Sequence, residues 1–159
     1  MMRRITFVCC CTAFALVGCA RSDDATTDTA AGTAAATEAP AAISVADVVG
    51  KWTVRAVPET GTDTTPTISE LNITTDTSGW TMTLPNRPAI KSRVVAIAGD
   101  SIVAEAGPYP SVRRAGVQVT TTSVMRLRDG RLVGTTVAHY RTAGADSVLR
   151  LRTEGTRAP

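Results

Sequence analysis

From Val49 onward, apolar and polar side chains alternate with a period of two, the repeat of a strand with one buried face. Gly50 to Val57 alternates Trp52, Val54 and Ala56. Thr67 to Thr75 is rich in β-branched residues, and Ile68 and Leu71 fall out of step, which predicts a bulge. Trp80, Met82 and Leu84 alternate after the turn-forming run Asp76 to Gly79, and Arg93 to Ala98 and Ser101 to Ala106 flank Gly99-Asp100. Gly107 to Gly116, G-P-Y-P-S-V-R-R-A-G, reads as the longest loop. Gly116 to Arg128, Arg131 to Arg141 and Ser147 to Glu154 bring the predicted strands to eight, with no long helix among them.

The best-defined hairpin is R-L-R-D-G-R-L-V, because Asp129-Gly130 suits a type I′ turn whose central residues need positive φ. That turn sets Arg128 opposite Arg131, Leu127 opposite Leu132, Met125 opposite Gly134, Ser123 opposite Thr136, Thr121 opposite Ala138 and Val119 opposite Tyr140. Residues directly opposite share a face. Val119, Met125, Leu127, Leu132, Ala138 and Tyr140 therefore share the inner face. Arg126, Arg128, Arg131, Arg141 and His139 share the outer one with Val124, Val133 and Val137. A short loop from Thr142 to Ser147 then adds Leu149 and Leu151 inside, and Arg150 and Arg152 outside.

Eight antiparallel strands in sequence must hide their edges, and closing into an up-and-down barrel does so. The predicted fold is thus an all-β, up-and-down antiparallel barrel of about eight strands. A two-sheet sandwich is the alternative, but it needs longer crossover connections than this chain offers.

Composition narrows the chemistry. From Asp47 on there are 14 Lys plus Arg against 10 Asp plus Glu, a mild net +4. Lysines are few, and no basic run in the domain exceeds Arg113-Arg114, so nucleic acid is not an expected partner. His139 is the lone histidine, faces outward opposite Thr120, and lies near no nucleophile-elbow motif. Asp76, Asp100, Asp129 and Asp146 sit at turns, where such side chains bond nearby amides. Glu70 and Glu105 lie on separate strands, and no glycine-rich phosphate loop occurs. No catalytic residue, metal site or cofactor is therefore expected. The outer arginines suit a solvated face that blunts sheet edges; contact with anionic headgroups or an acidic partner is the other reading. Trp80, Met125 and Tyr140 are the candidate ligand-binding residues, large side chains facing a barrel interior that holds at most one small apolar molecule.

The N-terminal part is an address. Met1 to Arg4 carry two arginines, and Ile5 to Val17 are mostly apolar, shorter than the roughly 20 residues that cross a bilayer. Leu16-Val17-Gly18-Cys19 resembles the bacterial lipoprotein box. The resemblance implies a signal peptide over residues 1–18, cleavage before Cys19, and acylation of the Cys19 thiol and amine, which makes a membrane the partner of the anchored chain. All four cysteines, Cys9, Cys10, Cys11 and Cys19, lie in or at the end of that signal, so the exported domain has no disulfide. Residues 19–42 follow as a tether of Ala, Thr and Asp with no large apolar side chain to order it. By resemblance to enteric sorting, Ala20 after the lipidated cysteine directs the protein to the outer membrane, with either the periplasmic or the surface face open.

Residues 43–159 form the predicted domain. Ile43 to Trp52, I-S-V-A-D-V-V-G-K-W, resembles the start of lipocalins and related calycins, in which a short helical turn closes one barrel end and Gly-x-Trp opens the first strand. That family packs a basic side chain from the last strand against the Trp. Arg152 and Arg157 are the matching positions here.

Overall fold

The computed structural model describes residues 41–159. The expected signal peptide, Cys19 and all but the last two residues of the expected tether lie outside the described residues. A short helix, α1 (Val45–Val48), leads into β1 (Gly50–Pro58), β2 (Thr67–Ile73), β3 (Trp80–Thr83) and β4 (Ile90–Ala98). Then come β5 (Ser101–Pro110), β6 (Gln118–Arg128), β7 (Arg131–Tyr140), a 3-10 turn at Ala145–Ser147, and β8 (Val148–Arg157). Every strand pairs antiparallel with its neighbour in sequence, and β8 returns to β1 with Trp52 opposite Arg157 and Pro58 opposite Leu151. The sheet is a closed, eight-stranded, up-and-down barrel, not a sandwich, and every strand has a neighbour on both sides.

The β6–β7 register is the one the Asp129-Gly130 turn predicts, from Arg128 opposite Arg131 to Val119 opposite Tyr140. Both turn residues have positive φ, 50° and 73°. Leu149 and Leu151 do face inward, opposite Ala138 and Thr136.

Two expectations need correction. The bulge predicted in β2 is absent: β1 and β2 pair without a break, and Ile68 simply faces outward, 40% exposed. The bulge is in β4 instead, where the register with β5 shifts between Val94 and Ala96. The long loop expected over Gly107 to Gly116 begins later, because its first four residues, Gly107 to Pro110, continue β5. After a register shift, Tyr109 pairs with Val119 and Pro110 with Gln118, which leaves only residues 111–117 as loop.

Prolines are tolerated there because β4 no longer reaches that stretch of β5. The last β4–β5 pair is Ser92 with Ala106, so one edge of β5 needs no N–H donors beyond it. Arg87, in the β3–β4 loop, fills the missing ladder position, with Nη1 donating to the Pro110 carbonyl at 2.8 Å.

Candidate functional site

The inward side chains change in size along the barrel axis. At the end where α1 enters, the interior is packed solid. Trp52, Trp80, Ile73, Ile102 and Val48 are its largest fully buried side chains. The Trp52 indole N–H donates to the Val48 carbonyl at 2.7 Å, and the Trp80 indole N–H to the Thr74 carbonyl at 3.0 Å.

Of the two basic candidates, Arg157 meets the Trp: its guanidinium lies 4.5 Å from the Trp52 ring centroid. It also donates to the carbonyls of Val49 at 2.7 Å and Asp47 at 2.9 Å, which a helix end leaves without partners. Arg152, by contrast, is exposed on the outer face opposite Val57 and Thr135. Gly50 explains the first position of the Gly-x-Trp motif. Its φ is +131°, and a Cβ there would sit 2.9 Å from Arg157 Nη1.

Toward the other end the inward positions shrink to Ala, Ser and Thr. Ala56, Ala106, Ala138, Ser69, Ser92 and Thr121 leave unfilled a cavity of about 100 Å³. Its wall carries hydroxyls that satisfy one another. Ser123 Oγ and Thr136 Oγ1 lie 2.8 Å apart, and Thr136 Oγ1 and Thr153 Oγ1 2.9 Å apart, a ladder across β6, β7 and β8. Among the described residues no fully buried side-chain N or O lacks a hydrogen-bond partner. Tyr109 adds a phenol whose burial pushes its pKa above the usual 10.0, against an opposing hydrogen bond with Thr121.

Arginines surround the mouth. Arg113 lines the cavity with a side chain only 15% exposed. It donates through Nη1 to Asp63 Oδ2 at 2.8 Å, through Nε to Thr67 Oγ1 at 3.0 Å, and through Nη2 to the Thr65 carbonyl. These bonds tie the β5–β6 loop to the β1–β2 loop. Arg114 covers Tyr140 from outside, its guanidinium 3.9 Å from the ring centroid.

Met125 and Tyr140 line the cavity, as their inner-face register predicts. Trp80 does not; it belongs to the packed end, with no exposed surface. Tyr109 and Arg113 fall in the stretch expected as loop, where no periodicity points inward; the alternation of Tyr109 with flanking prolines is the available sign of extended chain. His139 is exposed opposite Thr120. Asp76 accepts from the Ser78 amide at 2.9 Å, a turn role. Asp100 instead takes ion pairs with Arg126 and Arg128. The outer arginine flank is accordingly divided. Arg131 pairs with Glu154 at 3.4 Å, while Arg141, Arg150 and Arg152 have no ion pair among the described residues.

No family model matches the chain, and comparison with curated proteins and with solved structures gives no match. The closed eight-stranded barrel is compatible with a lipocalin-like fold.

Proposed function

We propose that this chain is a lipid-anchored lipoprotein of the bacterial cell envelope whose lipocalin-like barrel binds a small apolar ligand. The anchoring part rests on Leu16-Val17-Gly18-Cys19 behind a basic, apolar start. Ala20 favours the outer membrane. The binding part rests on one observation: the interior is plugged around Trp52 at one end and hollow at the other, with Met125 and Tyr140 on the wall of the hollow. The reading needs no catalytic residue, metal or cofactor. Native mass spectrometry of the chain after exposure to an envelope lipid extract tests it, and a consistently bare chain contradicts it. Anchoring has its own test: Cys19→Ala abolishes incorporation of labelled palmitate, whereas retained label places the attachment elsewhere.

A second reading, an interaction module that uses its outside, is favoured by β4. Val95 and Ile97, two residues apart at its bulged end, are 44% and 46% exposed. Bare chains in the ligand experiment, together with capture of a partner lost in Val95→Ser/Ile97→Ser, support this reading instead.

A further inference from the structure

The cavity has a weak place in its wall. Only Glu70 to Asn72 of β2 pair with β3, so Thr67 to Ser69 have no β3 neighbour. Beyond this gap lies an outer groove, and Thr67, Leu84, Val112 and Arg113 line both the groove and the cavity. These four side chains are the partition between the two spaces. Three of them are neutral, and Arg113 is the charge in the partition.

Arg113 has the environment of a group that recognises carboxylate. Its side chain is 15% exposed, yet its acid partner, Asp63, is 63% exposed on a loop. A largely buried guanidinium needs an anion more than an exposed Asp needs a cation. Asp63 is therefore the replaceable member of the pair, and its carboxylate already accepts a charge-assisted bond from Nη1 at 2.8 Å. Arg87 lies beside it and adds positive charge to the same groove.

Resting on the reading of the barrel as a ligand-binding module, we propose that Arg113 is the selectivity gate of the cavity, and that the ligand is a short-chain monocarboxylate. Its carboxylate takes the Arg113 guanidinium in place of Asp63, and its apolar body enters between Met82 and Met125. Size sets the length of that body. A cavity of about 100 Å³, scaled against the roughly 150 Å³ that holds the six carbons of benzene, accommodates about four carbons.

Pentanoate and 1-pentanol share such a body and differ in the head, so they are the probes. The full chain in lipid nanodiscs, labelled with methyl-13C methionine, is titrated with each at neutral pH, and the Met82 and Met125 methyl resonances report on the cavity. Both probes are expected to shift these resonances, with pentanoate binding at least about tenfold more tightly. Asp63→Asn removes the competing carboxylate and tightens pentanoate by roughly threefold, with pentanol unchanged. Arg113→Gln abolishes the preference for pentanoate and keeps pentanol binding. Should Arg113→Gln fail to fold, the Asp63→Asn comparison decides. Equal affinity for acid and alcohol in the unaltered chain, or pentanoate binding indifferent to Asp63→Asn, overturns the gate while leaving the cavity as a binding site. No shift with either probe overturns the binding reading itself, and the gate with it.

Discussion

Single residues show where this barrel tolerates no change. Gly134 lies on the inner face opposite Met125, and an added Cβ would meet the Val124 carbonyl oxygen at 1.9 Å, a backbone atom that cannot swing aside. Gly134→Ala is expected to cost about 2 kcal/mol, read as a lower chemical-denaturation midpoint at unchanged slope. Tyr109 carries the pH dependence at the alkaline end. Its hydroxyl ionises above the usual 10.0 because burial disfavours the phenolate. The folded pKa is the higher one, so this contribution is complete below about pH 10 and declines as pH rises through the folded value. In Tyr140→Phe, which leaves Tyr109 as the sole tyrosine, ultraviolet titration of the folded chain should show ionisation above 10.0. A midpoint at or below that value contradicts the burial. Legibility at this scale was uneven. The inward placement of Met125 and Tyr140 followed from one turn, since Asp129-Gly130 admits a single register. Arg113 did not, because its position depends on partners some fifty residues away at Asp63 and Thr65.

Among the elements, the strands were read more surely than their ends. A period of two identifies a half-buried strand but is silent on where pairing stops. Gly107, Pro108 and Pro110 are turn-formers, so the pattern predicts an end to β5 at Ala106, whereas the strand runs on to Pro110. The structure keeps the chain extended there because β6 pairs again with Tyr109 and Pro110 after the register shift and Arg87 patches the other edge. The predicted β2 bulge arose from treating Ile68 as a core residue, whereas an isolated exposed apolar side chain is ordinary. Inward Ser and Thr were equally hard to assign, since Thr also decorates the outer face. Their role is clearest in the ladder from β6 to β8. Thr136→Val keeps the shape but strips hydrogen bonds from both the Ser123 and Thr153 hydroxyls. A loss of about 1 kcal/mol is expected, measured by denaturant unfolding, and no loss would mean that these hydroxyls find other partners.

At the largest scale, the barrel divides along its axis into a packed end and a hollow end. The division follows from residue size: two tryptophans and long aliphatics fill one end, and Ala, Ser and Thr face each other at the other. Loops and turns are held by carboxylates throughout. Asp47, Asp63 and Asp76 are lowered below the usual 3.8 first by hydrogen bonds from Ser44, Thr65 and Ser78, and Asp100 first by the Ser101 hydroxyl, then by Arg128 and Arg126. Their folded values are the lower ones, so the stability they confer is full above 3.8 and is lost as pH falls through the folded values. The melting temperature should hold steady from neutral pH toward 3.8 and fall below it; a rise in that range contradicts the assignment.

The hollow end is the point on which the functional account depends, and xenon reports on it without any assumption about the ligand. A crystal pressurised with xenon should show anomalous density beside Met82, Met125 and Ala138, on the cavity wall, and none among Trp52, Trp80 and Ile73. Side chains filling the space beside Met125, with no xenon admitted, would contradict it.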